Sequence, residues 1–179
     1  MSPDADHIEV IYPPDKIAAR IEVLAGQIAA TSTAPLLVVA ILKGSFVFAA
    51  DLIRALHRAG LAPEVDFMTL SSYRKSTRSS GAVDILRDLE TDVSGRHVLL
   101  VDDILESGRT LAFAKDLVSA RGAARVMTCV LLDKGARRAV QIAADFKASD
   151  CPDVFVVGSG IDVGHRSREL PFVGHVVHR

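Results

Sequence analysis

Three uninterrupted apolar runs constrain this 179-residue chain more than any other feature: "APLLVVAIL" (34–42), "HVLLVDD" (97–103) and "ARVMTCVLLD" (124–133). Each is short and shows no polar alternation, which is the pattern of a strand buried on both faces. "DVFVVGSGID" (153–162) contains a fourth such run. Helical periodicity lies between them. In segment 14–30, Ile17, Ile21, Leu24 and Ile28 share a face, and 44–60 aligns Phe46, Ala49, Ala50, Ile53 and Leu56 before Gly60 ends it. A third helix over 109–121 carries Leu111, Ala114, Leu117 and Val118. Strands are expected at 64–72 and within 83–89, separated by the polar, basic tract "YRKSTRSSGA" (73–82), which reads as a mobile loop. Buried strands alternating with helices imply βαβ units and a mostly parallel sheet.

The length suits one domain with a proper core. We expect a single domain over 1–179, with a core at about 34–150 and a small hood built from the N-terminal segment and about 151–179. With no Trp, the core must be largely aliphatic. A formal net charge of −1 with scattered Lys and Arg argues against nucleic acid as the main partner. No apolar run has the length of a membrane span, and the acidic, polar start "MSPDADHIEV" is not a secretory signal. Cys129 and Cys151 have neither metal-ligand spacing nor enough partners for a disulfide framework. A cytoplasmic location is expected.

The chemistry concentrates in "VLLVDDILESGRTL" (98–111), where a strand ends in Asp102 and Asp103 and runs through Glu106 into Ser107-Gly108-Arg109-Thr110. Ligands of open α/β sheets bind outside the carboxyl ends of strands. The turn can aim backbone N–H groups and hydroxyls inward, and Gly108 permits a positive φ or close approach by a ligand. Followed by a helix N-terminus, this makes a phosphate cradle. It is neither a Walker A loop nor a GxGxxG turn. Taken alone, it is more readily an ordinary βα loop capped by Ser107 or Thr110. The adjacent carboxylates tilt that balance, because they repel each other and gain nothing from burial unless a cation or a polyhydroxylated ligand offsets them. A ribose 5-phosphate unit with Mg²⁺ is such a ligand.

These residues resemble the 5-phosphoribosyl-1-diphosphate signature of type I phosphoribosyltransferases, and the rest of the chain resembles the hypoxanthine-guanine branch. "ILKGSFVFAADLIRAL" is similar to its diphosphate-binding Lys-Gly loop and helix, and "LSSY" to the start of its mobile catalytic loop. "LLDKGARR" is similar to its purine-reading lysine segment, and "PDVFVVGSGID" to its purine-stacking hood. Together the five motifs run from about residue 36 to 172.

The resemblance implies a mostly parallel, twisted sheet flanked by helices, with a hood formed by the chain ends. It implies 5-phosphate binding by Glu106, Ser107, Gly108, Arg109 and Thr110, and a ribose and Mg²⁺ region at Asp102 and Asp103. Diphosphate binding falls to Lys43, Gly44 and Arg168, where family members use a cis peptide in the Lys-Gly loop. The purine site comprises Lys134, Phe155, Val156 and Asp162, with Asp162 also holding a second Mg²⁺. Ser72 and Tyr73 open a loop that closes over the reacting centre and excludes water. Without the resemblance, Lys134 beside Asp133 would read as a surface ion pair and Phe155 as plain core. Two positions depart from the family: Glu106 stands where members carry the Asp proposed as general base, with Asp103 beside it. Ser159 and Val163 stand where a Tyr is common.

The implied reaction is transfer of 5-phosphoribosyl from its 1-diphosphate to N9 of hypoxanthine or guanine, with two Mg²⁺ per site, in a homodimer or homotetramer. Xanthine shares the 6-oxo group and stays open as an acceptor. A regulator that binds phosphoribosyl ligands and controls RNA or a partner protein would share "VDDILESGRT". The near-neutral charge and the set Lys43, Lys134, Asp162 and Arg168 favour the enzyme.

Overall fold

The structure, a computed structural model, describes residues 7–72 and 82–177. Six strands form one sheet: β2 (Leu36–Leu42), β3 (Glu64–Ser72), β4 (Val83–Arg87), β5 (His97–Leu105), β6 (Arg125–Asp133) and β7 (Phe146–Asp150), in the order β4-β3-β2-β5-β6-β7. All neighbours are parallel except the antiparallel β3–β4 pair at one edge. A second sheet joins β1 (His7–Tyr12), β9 (Val173–Val177) and β8 (Val156–Val157), antiparallel throughout, with His7 opposite Val177.

Helices cover both faces of the main sheet, which is why β2, β5 and β6 can be apolar on both sides. α1 (Pro14–Thr31) and α2 (Phe46–Arg58) pack on the face carrying Val38, Ala40, Leu99, Val101 and Cys129. α3 (Arg109–Ala120) packs on the opposite face, against Leu37, Val39, Leu100 and Val130. Side chains such as Phe48, Leu24, Leu99 and Leu100 are fully buried, each contributing about 1.5–3 kcal/mol of hydrophobic stabilisation.

α1 starts with Pro14, whose fixed φ suits a first helical position, and buries the expected Ile17, Ile21, Leu24 and Ile28. α2 is rotated from its expected face. It buries Phe48, Ala49, Leu52, Ala55 and Leu56, while Phe46 is 45% exposed and Ile53 is only partly buried. Both stripes of this helix are apolar, so packing between the sheet and α1 selects the face, not periodicity. The run 153–162 also differs from expectation. It contributes only the two-residue β8 to the small sheet, and the remaining main-sheet strand is β7.

The chain steps outward from β2 to β3 in one direction and from β5 through β6 to β7 in the other. The reversal falls between β2 and β5, so the loops after these two strands flank a crevice at the sheet's carboxyl edge. The site lies there.

Candidate active site

A cleft of about 790 Å³ opens at this edge, lined by Lys43 and Gly44 after β2, Asp102 to Leu111 from β5 into α3, Lys134 after β6, and Phe155, Val156 and Asp162 from the hood. The predicted residues whose side chains are described therefore converge on one space, apart from Arg168, which is outside its lining. Arg168 nonetheless bonds to Asp162 on its wall. Ser72 ends β3, and Tyr73 lies outside the described residues.

The turn after β5 has the geometry of an anion cradle. Gly108 has φ +84°, and a Cβ there would stand 2.7 Å from Ile142 Cγ2 and 3.1 Å from the Val140 carbonyl, so only glycine fits. The Gly108 carbonyl accepts from Ala112 N–H at 2.9 Å, starting α3, and Gly108 is itself the N-cap with no side-chain cap. Neither Ser107 nor Thr110 is the N-cap: Ser107 precedes it by one residue and Thr110 lies inside α3. Ser107 Oγ accepts from Arg109 N–H at 3.3 Å inside the turn. The Ser107 carbonyl faces the 138–140 segment, accepting from Ala139 N–H at 2.8 Å and Val140 N–H at 3.1 Å. In a planar trans peptide the C=O and the following N–H point in opposite directions, so the Gly108 N–H is turned to the side opposite the 138–140 segment.

At the end of β5, Asp103 N–H donates to Asp102 Oδ1 at 2.9 Å and Ile104 N–H to Asp103 Oδ1 at 2.7 Å. Burial pushes both carboxyls above the usual carboxylate range, and for Asp102 the charge of Asp103 adds to it. Among the described residues neither forms a salt bridge. Opposite them, the Leu42–Lys43 peptide is cis, and Gly44 lies hard against Asp103: a Cβ on Gly44 would stand 1.9 Å from Asp103 Oδ2. From the hood, Gly160 reaches the same loop, with room for no Cβ beside the Gly44 carbonyl.

Lys134 differs from the surface pair its neighbour suggested. Its side chain is 8% exposed, its N–H donates to the Leu105 carbonyl at 2.8 Å, and its ammonium sits 3.2 Å from Glu106 Oε1. Asp133 instead accepts from Arg138 and lies near Lys147. Phe155 is not core: it is 48% exposed and borders the cleft, while Val156 beside it is buried. Asp162 Oδ2 accepts from His165 N–H at 2.8 Å and pairs with Arg168 at 3.2 Å, and Arg168 Nη1 donates to the Gly160 carbonyl at 2.6 Å.

Among the described residues no three acidic, His or Cys side chains gather around one point as a metal cage would require. Asp102, Asp103 and Asp162 therefore form no closed ligand set by themselves. The residue that sequence reasoning missed is Arg138, behind the cradle. The only signal was a second arginine in "KGARR".

This arrangement meets known proteins at every level. The phosphoribosyl transferase domain model matches residues 7–163. Over 173 residues the chain is 42% identical to hypoxanthine phosphoribosyltransferase of Escherichia coli K12, covering 95% of this chain and 96% of that protein. It is 41% identical to the hypoxanthine-guanine phosphoribosyltransferase of Aquifex aeolicus, covering 93% of each. A crystal structure of a Bacillus anthracis hypoxanthine-guanine phosphoribosyltransferase superposes with a TM-score of 0.89 at 38% identity, over 96% of this chain and 100% of that one. The fold is that of the type I phosphoribosyltransferases, and the chain belongs to the phosphoribosyl transferase domain family.

Proposed function

We propose that this protein transfers the 5-phosphoribosyl group of 5-phosphoribosyl 1-diphosphate to N9 of hypoxanthine or guanine, releasing diphosphate. The observation that carries the reading is the pair of buried Lys134 and half-buried Glu106, set 3.2 Å apart in the same cleft as the phosphate cradle. A 6-oxopurine presents O6 and N7 side by side on one edge. A donor and an acceptor side by side match O6 and an N7 proton. Adenine offers a 6-amino donor that would face the ammonium, so the pocket disfavours it.

In this reading Ser107 to Thr110 hold the 5-phosphate, and the Lys43–Gly44 loop and Arg168 receive the diphosphate. Phe155 stacks on the purine, and Val156 meets its far edge through backbone. As C1′–O breaks, the ribose gains positive charge beside Asp102 and Asp103, which tolerate it. Glu106 takes the N7 proton as N9 attacks. Because diphosphate is already a good leaving group, the protein's work is chiefly to position both substrates. Ser72 and Tyr73 begin the segment that would close over them.

The carboxylates fit a divalent cation, Mg²⁺ in our reading. Asp102 is buried and Asp103 half-buried, neither forms a salt bridge among the described residues although the Arg168 charge acts on Asp103, and Mg²⁺ is commonly bound by one or two carboxylates plus substrate phosphates rather than by an all-protein cage. Asp162 would approach it from the hood side. When bound, the ion would neutralise diphosphate charge and make it a better leaving group.

The test is a turnover assay with the diphosphate donor, each of hypoxanthine, guanine, xanthine and adenine, and Mg²⁺ or excess chelator. Metal-dependent nucleotide formation from 6-oxopurines alone is expected. Donor binding without turnover on any purine would overturn the enzyme reading in favour of a regulator.

A further inference from the structure

We infer that Arg138 is the positioning residue that sets the orientation of the 5-phosphate cradle from behind. The inference rests on the cradle reading of residues 106–110. Arg138 does not line the cleft. Its guanidinium instead spends its donors on three acceptors beneath the cradle: Nε on the Glu106 carbonyl at 3.1 Å, Nη1 on the Ile142 carbonyl, and Nη2 on the Asp133 carboxylate. The side chain is 21% exposed and Asp133 17%, so the fork is largely shielded. Its stem lies under Gly108, where Arg138 Cδ would stand 3.2 Å from a Cβ.

The Glu106 carbonyl is the one that matters. Held outward by Arg138, it turns the next N–H, that of Ser107, to the opposite side, into the cleft. The Ser107 carbonyl, held outward by Ala139 and Val140 N–H, does the same for Gly108. Two successive N–H groups facing one way form an anion nest. Residues 138–140 thus supply the outward hydrogen bonds for both peptide planes, and only the first depends on a side chain. The same guanidinium grips Asp133, directly before Lys134, so the purine-reading and phosphate-holding segments share one brace. The planar guanidinium spreads its donors over three nitrogens in a fixed fork, each meeting a different acceptor here, whereas a lysine would gather its three donors on one rotatable nitrogen.

The 5-phosphate is held equally in ground and transition states, so loosening its cradle should act on donor affinity and not on the chemical step. Arg138→Met keeps the stem and removes the fork. Its KM for 5-phosphoribosyl 1-diphosphate should rise roughly 10- to 100-fold, the loss of a charge-assisted hydrogen bond, with kcat and the KM for hypoxanthine within about 3-fold. Guanidinium ion at non-denaturing concentration should restore part of the donor affinity to Arg138→Ala and none to wild type. Calorimetric titration with ribose 5-phosphate against ribose should show the loss confined to the phosphate-bearing ligand. An unchanged donor KM, or a fall in kcat that tracks lost thermal stability with no guanidinium rescue, would overturn the inference. Absence of transfer in wild type would sink the proposed function instead, and the ribose 5-phosphate titrations would still judge Arg138.

Discussion

Replacing Lys134 with Met separates purine reading from phosphate holding. The substitution keeps an unbranched side chain of similar length and deletes one ammonium, which lies 3.2 Å from Glu106 in a pair whose side chains are 8% and 20% exposed. Exposed ion pairs contribute at most about 1 kcal/mol. This pair is shielded, so losing its cation should cost about 1–3 kcal/mol of stability, between the exposed and the fully buried cases. The effect on catalysis follows from the donor lost to O6, a charged hydrogen bond of roughly 1.5–3 kcal/mol. At about 1.4 kcal/mol per decade, kcat/KM for hypoxanthine should drop roughly 10- to 150-fold. Donor affinity should move less than about 3-fold, because Lys134 reaches the cradle only through Glu106. Steady-state kinetics varying each substrate in turn, with thermal denaturation as a control for folding, measure all three quantities. Equal weakening toward both substrates, in a variant still folded at the assay temperature, would refute the reasoning and make Lys134 a structural counter-ion.

Glu106→Gln keeps shape and removes basicity, so kcat should fall by about 10²–10⁴-fold while Glu106→Asp retains far more; a wild-type rate in the Gln variant would relieve Glu106 of the base role. Gly44→Ala forces a Cβ to within 1.9 Å of Asp103 Oδ2, so the acidic pair must shift, and we expect at least a 100-fold loss in kcat/KM with most of the fold's stability kept. Asp66 is a structural case: burial acts to raise its pKa, yet backbone N–H groups of Thr91, Phe67 and Glu90 outweigh it and hold the carboxyl below its usual value. A depressed folded pKa contributes stability that is present above the unfolded value, near 3.8, and is lost as pH falls through the folded one. Asp66→Asn should therefore cost about 1–2 kcal/mol in urea unfolding at pH 7, with the gap closing in acid; a pH-independent gap would show that the charge is not what matters.

The strands buried on both faces were legible because nothing else accounts for runs such as "LLVVAIL" and "VLLV". The edge strand β7 was not: in "FKASD" only Ala148 is fully buried, and one covered position makes no pattern. α2 shows the limit of periodicity, since a helix with two apolar stripes leaves the choice to its neighbours. At the site, "VDDILESGRT" announced its location because backbone geometry and charge sit in one contiguous segment. The Lys134–Glu106 pair was hidden because its members are 28 residues apart, and Lys134 has a more obvious neighbour in Asp133. Arg138 was less visible still. Two of its three partners are backbone carbonyls, which every residue has, so no residue type betrays them.

The small sheet, finally, has a consequence for the order of events during synthesis. Every strand of the main sheet has been made once Asp150 has been added, and most of its pairings join segments close in sequence. β1 can find its partner only after Val173–Val177 emerge, because among the described residues His7 to Tyr12 form a ladder with β9 alone. Until then a nascent chain carries a finished cradle and an unpaired first strand, with its edge open to other chains. Closing so large a loop is slow rather than strongly unfavourable, since the entropic cost grows only as the logarithm of its length. Phosphate binding could thus be acquired before purine binding as the protein is made, and the emergence of β9 decides when the second begins.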